Sequence, residues 1–260
     1  MDWQKFKIRC SSLHVLFVEP QSKEARDKGE LSETAKKHLW DVYIEAKWNR
    51  SEDITTKQMS KGNMVEQEII DILSSLDNMK YKKNEERKEN EWIQGCPDVV
   101  APVHLDDAKA SWSPKTFAPF IVNPIGKDNL YQMNGYLWLW DKPKGFISRA
   151  LVNCPPVLLM DELKKLQFKM NVFEEDPEYK LAAAELVRNL TYDDIPIHER
   201  IIRREVIRDE EIIKQIPEKV IKARKYLAYM EELHLNGRKP PALAIKSTEI
   251  VIDDSNALKI

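Results

Sequence analysis

Three side chains in this chain are suited to acid, base and metal chemistry at close quarters: Asp98, Asp107 and Lys109. Pro97-Asp98 runs into the β-branched pair Val99-Val100, Pro102 punctuates, and residues 103–108 have the composition of a return strand, which predicts a hairpin. Side chains at i and i+2 of a strand share a face, so Asp107 and Lys109 are presented together while Ala108 turns into the core. Asp98, expected near the turn on the other arm, faces them. Two carboxylates and an ammonium on one spot are the minimum equipment for metal-assisted hydrolysis of a phosphodiester. Mg²⁺ takes hard oxygen ligands and keeps several waters, so two or three carboxylates and a backbone carbonyl, for which Ala108 is the candidate, can hold it against a phosphate. Lys109 then positions or helps deprotonate the attacking water and offsets developing charge. The competing reading is a turn aspartate beside a solvated Asp–Lys pair, which arises by chance in so charged a chain.

Flanking elements must bring further groups to the hairpin. Lys61-Gly62-Asn63-Met64-Val65-Glu66 opens a run with Val65, Ile69, Ile72, Leu73 and Leu76 on one helical stripe. Glu66 lies beside that stripe and can look into a cleft; Glu68, the fallback acid, points well round the helix. Residues 128–140 read as a helix on which Gln132, Tyr136 and Trp140 share a face, with Met133, Leu137 and Leu139 on the packing side. On that face an amide and a phenol can orient Lys109 or meet a phosphate.

In this order the motifs resemble the PD-(D/E)xK nuclease superfamily: Pro97-Asp98 matches the PD, Asp107-Ala108-Lys109 the (D/E)xK, and Gly62 to Glu66 the acidic first helix. Gln132-Met133-Asn134-Gly135-Tyr136 looks like the Q-x-x-x-Y motif of the branch holding the RecB nuclease domain and the YqaJ-type, lambda-like phage exonucleases. The resemblance implies an α/β fold with a restriction-endonuclease-like core, a central mixed β-sheet flanked by helices, with helical N- and C-terminal elaborations. It implies Glu66, Asp98 and Asp107 as metal carboxylates, Lys109 as the catalytic lysine, and Gln132 and Tyr136 as supporting residues. Ser111, Trp112, Ser113 and Lys115 follow as DNA contacts, for which turn chemistry with an aromatic anchor is an equal reading.

The implied activity is Mg²⁺-dependent exonucleolytic digestion from the ends of linear duplex DNA, with Mn²⁺ substituting, in phage-type recombination or end processing. A structure-specific or single-strand endonuclease on the same fold, or a catalytically silent DNA-end-binding module, are the alternatives. Implied partners are a single-strand annealing protein and further copies of the chain in a ring trimer.

The 260 residues suit one elaborated domain: a mainly helical part over 1–60, the nuclease core over 61–155, a helical part over 156–237 and a tail over 238–260. A formal net charge of −2 carries no global signature of DNA binding, so local clusters such as Lys80, Lys82, Lys83, Arg87 and Lys88 must supply any attraction, although glutamates dilute that run. No long uncharged apolar stretch exists and the charged opening is no secretory signal, which points to the cytoplasm and away from membranes. The three scattered cysteines fit a reducing compartment and argue against an iron–sulfur cluster.

Elsewhere, residues 13–18 fit an early strand or a buried helix end, and residues 22–50 read as helical, with Trp40 and Trp48 favoured for the core over stacking on bases. Residues 51–62 read as a loop, 91–98 as the approach to and first strand of the catalytic hairpin, and 144–152 as a core strand. From 157 on, amphipathic helices are interrupted by residues 201–209, whose partial alternation leaves a strand or a short helix open and which the resemblance to YqaJ-type relatives implies as a strand, and the last helix stops at Asn236-Gly237. Residues 248–252 can add an edge strand or dock on a partner.

Overall fold

The computed structural model describes residues 1–51 and 55–237; the tail reading over 248–252 lies outside them. Strand β1 (Ile8–Arg9) leads into a 3₁₀ helix (Cys10–Phe17), which resolves the ambiguous apolar run. The expected helix over 22–50 is two: α1 (Lys23–Asp27) and α2 (Glu33–Trp48). They are separated where Gly29 takes a left-handed φ of 65° and Ser32 caps the Ala35 amide. Helix α3 (Lys57–Leu76) begins earlier than the pattern predicts, because the Thr56 hydroxyl accepts from the Met59 amide and starts the helix there. Gly62 is therefore inside the helix rather than a hinge before it.

Next come β2 (Lys88–Glu89), β3 (Ile93–Gly95), β4 (Val99–Val100), β5 (Leu105–Ala110), α4 (Pro114–Phe117), α5 (Pro119–Val122), α6 (Lys127–Trp140) and β6 (Lys144–Ala150). The chain continues through α7 (Pro156–Met170), α8 (Pro177–Leu190), β7 (Ile201–Ile207) and α9 (Glu210–Asn236), which ends on a left-handed Gly237.

The central sheet runs β4-β5-β6-β7 and is mixed: β5 and β6 are parallel, joined across α6, while the outer pairs are antiparallel. Residues 93–95 do not belong to the catalytic hairpin. They pair with β1 and β2 in a separate three-stranded sheet, and Pro97, which has no N–H to donate, stands between the two ladders.

Strand alternation divides the core. Leu105, Ile147 and Val206 face α6, the 3₁₀ helix and α9, in a cluster with Met133, Leu137, Leu13 and Val220. Ala108, Ala110 and Ala150 face α3, against Val65, Ile69, Ile70 and Leu73. Small residues on that second face let α3 lie close to the sheet. Trp40 and Trp48 are not core: they are 40% and 51% exposed, because α2 buries only its Ala35, Leu39, Tyr43 stripe. They line an apolar groove with Tyr226 and Tyr229 instead. Helix α7 likewise buries no residue, and Phe168 on it is 90% exposed.

A polar network braces the α3 face of the hairpin. Arg203 on β7 donates to Asp106 (2.9 Å) and Asp77 (2.6 Å) and meets His104 at the hairpin turn, while its guanidinium lies 4.1 Å from the centre of the Phe146 ring. The Tyr81 hydroxyl also donates to Asp77. Burial pushes the Asp106 carboxyl up to about 6, with Arg203 working in the opposite direction. Among the described residues, no helix is long and apolar enough to cross a membrane.

Removing one partner of such a buried pair strands the other charge. Arg203→Ala is expected to lower the free energy of unfolding by about 3 kcal/mol or more, measured by urea denaturation; a change below about 1 kcal/mol would reduce the network to a surface pairing.

Candidate active site

The hairpin does converge its charged groups, with one change of place. Only Val99 and Val100 pair with β5, so the turn occupies residues 101–104 and Asp98 lies at the open end of the hairpin rather than near its turn. There its Oδ2 accepts from the Ala108 amide at 2.7 Å, which fastens the carboxylate beside Asp107. Asp107 is 2% exposed and carries the Lys109 ammonium on Oδ2 at 2.7 Å. Ala108 packs towards α3, as alternation requires.

The electrostatics follow from two carboxylates sharing one low-dielectric corner. Burial first, and then the charge of Asp107, pushes Asp98 up to about 7, against the hydrogen bond from Ala108. Burial disfavours the Lys109 charge too, yet Asp107 and its hydrogen bond hold the ammonium above the ordinary lysine range. Glu66 reaches the same corner from α3: its charge acts on Asp98, and its Oε2 is 3.1 Å from the Lys83 ammonium. Glu68 is exposed on another side of α3, where its carboxyl is raised by burial and feels Arg200 and Lys61. Among the described residues, no three His, Cys, Asp or Glu side chains stand close enough to hold a metal ion together. Lysines occupy the oxygens of Glu66 and Asp107 instead.

Gln132, with Tyr136 beside it, meets Asp107 and not Lys109 directly. The Gln132 amide donates to Asp107 Oδ1 at 3.1 Å and to the Tyr136 hydroxyl oxygen at 2.9 Å, so the pair holds the carboxylate from behind. Both are buried, and burial raises the Tyr136 phenol well above its usual range. Gly95 allows this: a Cβ there would lie 2.5 Å from the Tyr136 ring.

The segment expected to touch DNA is built more firmly than a loop. Ser111 is 1% exposed and its hydroxyl has no partner among the described residues, so of the four it is the one closed to solvent. The Ser113 amide donates to the Thr116 hydroxyl, which donates back to the Ser113 carbonyl, fixing the start of α4. Lys115 is exposed. Trp112 lies under the Lys57 ammonium, 4.6 Å from its ring centre.

Lys61 is a buried tie to the site segment that the motif pattern passes over. It is fully buried, and its ammonium donates to the carbonyls of Ser111 (2.8 Å) and Trp112 (3.3 Å), with the Trp112 and Tyr192 rings beside it. It thereby ties the helix carrying Glu66 to the end of the strand carrying Asp107 and Lys109. The signal was present: Lys61 stands four residues before Val65 and eight before Ile69, on the buried stripe itself.

No family model and no curated protein matches the sequence. Solved structures do match. A phage-related exonuclease from Haemophilus somnus 129PT is 27% identical with a TM-score of 0.69, over 88% of this chain and 97% of that one. The fold is that of a phage-type exonuclease. An alkaline exonuclease, LHK-Exo from Laribacter hongkongensis, shares it at 9% identity and a TM-score of 0.59, over 91% of this chain and 98% of that one. LHK-Exo is also known in complex with dAMP, at a TM-score of 0.57. The branch of PD-(D/E)xK nucleases that the motifs resemble is thus the branch that the backbone resembles.

Burial drops the Lys61 pKa to about 8, below its value in an unfolded chain. Below pH 8 the group is charged in both states and the folded state bears the full desolvation penalty. As pH rises from about 8 towards 10.5 the folded protein sheds a proton that the unfolded chain keeps, so stability rises. Urea denaturation across that window should show wild-type stability climbing relative to Lys61→Met; parallel curves would mean that the ammonium is not desolvated.

Proposed function

We propose that the chain is a Mg²⁺-dependent deoxyribonuclease that hydrolyses phosphodiester bonds from the ends of linear duplex DNA, in phage-type recombination or end processing. One observation carries the reading: Asp98, Asp107 and Lys109 converge on a single hairpin, with Asp107 held from behind by Gln132, in a fold shared with phage-type exonucleases.

The donor set suits a hard divalent cation. Every candidate ligand is an oxygen, from Glu66, Asp98, Asp107 and the Ala108 carbonyl, and burial together with the charge of Asp107 raises the cost of ionising Asp98 in a way that a cation relieves. When bound, Mg²⁺ supplies Lewis-acid polarisation of a phosphoryl oxygen and a more acidic water, and Mn²⁺ can take its place. Lys109 keeps its proton at neutral pH, so its ammonium offsets negative charge on the phosphoryl group and orients the attacking water. Gln132 and Tyr136 keep Asp107 in one rotamer, so reaction requires little reorganisation at that carboxylate. Lys115, which is exposed, and Trp112 and Ser113, which are half-buried, are the accessible members of the proposed DNA-contacting segment. The same reading extends to a ring-forming homo-oligomer, a single-strand annealing partner and work in the cytoplasm.

In Mg²⁺ the protein should digest end-labelled linear duplex, leave a covalently closed circle intact, and stop in EDTA. Lys109→Ala should slow digestion by at least about a hundredfold. Nicking of the circle would favour the endonuclease reading, and binding without digestion the silent module. The position of the label retained early in the digestion gives the strand polarity.

A further inference from the structure

Arg149 is the direct parallel neighbour of Lys109, on β6. Parallel neighbours lie about 4.8 Å apart and their side chains share a face, so Arg149 points to the side of the sheet that carries Lys109 and Asp107. Every other arginine on the two strands β6 and β7 is engaged: Arg203 by Asp77 and Asp106, Arg204 by the carbonyls of Phe120 and Ile121. The Arg149 side chain makes no hydrogen bond and no ion pair among the described residues. Its Nε is buried without a partner, and its guanidinium rests 5.1 Å from the centre of the Phe120 ring. Phe120 is also flanked by Arg204, at 5.3 Å, so Arg149 is supported from below by a fixed apolar platform.

A half-buried guanidinium with donors unmet is costly in a folded protein, and folds retain such groups where a ligand completes them. The neighbouring charges fit an anion of limited strength. Asp107 and Asp128 favour the Arg149 charge from a distance, and Arg149 in turn disfavours the Lys109 charge. An oxyanion lying across both cations would relieve that repulsion. The planar fork of arginine matches two oxygens of a phosphate, which a lysine ammonium cannot do.

We propose that Arg149 grips a backbone phosphate of the DNA strand being hydrolysed, beside the phosphate at Lys109, and so sets the register of the strand in the site. This rests on the nuclease reading above and assigns a substrate contact to a residue outside its motifs.

The test compares Arg149→Met, which keeps an apolar stem on Phe120, with Arg149→Lys, which keeps the charge and loses the fork. KM for digestion of a linear duplex in Mg²⁺ is measured over a NaCl series. Binding of the same duplex is followed by fluorescence anisotropy in a Lys109→Ala background, and far-UV circular dichroism melts verify folding. Arg149→Met should weaken binding about tenfold to a hundredfold and flatten the salt dependence by about one unit of slope, with Arg149→Lys in between. If the wild type digests DNA but Arg149→Met matches it in KM, binding and salt slope, the inference falls alone and Arg149 is a structural cation over Phe120. Should Arg149→Met fail to fold, Arg149→Lys decides by itself, since wild-type affinity in that variant removes any role for the fork. A wild type that neither digests nor binds DNA overturns the nuclease reading and this inference together.

Discussion

A buried aspartate, Asp107, and a half-buried one, Asp98, stand side by side at the mouth of one short hairpin, and the rest of the molecule is arranged to make that tolerable. The Ala108 amide takes one oxygen of Asp98, Lys109 neutralises Asp107, and Gln132 fastens the second Asp107 oxygen from α6. The result is a poorly hydrated pair of carboxylates in which burial and the charge of Asp107 push Asp98 up to about 7. Such a corner is expensive for stability and useful for holding a cation against a phosphate.

The surrounding scaffold can be understood as support for this corner from both faces of β5. On the α6 face, Gln132 and Tyr136 stand behind Asp107, and Gly95 of the small sheet leaves room for the Tyr136 ring. On the α3 face, Arg203 gathers Asp106, Asp77 and His104, so the hairpin turn, the end of α3 and β7 are tied to one guanidinium. Lys61 performs a similar service at the other end of the strand, joining α3 to the carbonyls that follow β5. Successive residues of β5 therefore serve opposite purposes: Asp107 and Lys109 the site, Asp106 and Ala108 the brace.

The hairpin, the face shared by Asp107 and Lys109 and the helix carrying Gln132 were legible because alternation and helical period leave few options once Pro97, Pro102 and the apolar stripes are marked; the mixed sheet and the strand over residues 201–207 were implied by the family resemblance and not by the local pattern. What was hidden depends on long-range packing. Nothing local says that residues 93–95 pair with β1 rather than with β5, or that Trp40 and Trp48 border a groove instead of entering the core. The bond from Gln132 to Asp107 was hidden because helix periodicity fixes which face a side chain occupies, not which of two strand residues on that face it meets. Arg149 and Lys61 could have been found: each is a charge at a position where the alternation or the stripe demands an apolar residue.

The central claim is that the Asp98–Asp107 corner is a divalent-cation site whose ligands include Glu66. A crystal grown with Mn²⁺ and phased on its anomalous signal tests it without relying on turnover. The account predicts an anomalous peak within coordination distance of Asp98 and Asp107, with the Glu66 carboxylate turned towards it and released from Lys83, and loss of that peak in Asp107→Asn. A fully occupied Mn²⁺ peak elsewhere, with Asp98 and Asp107 still bound only to Ala108, Lys109 and Gln132, would contradict it.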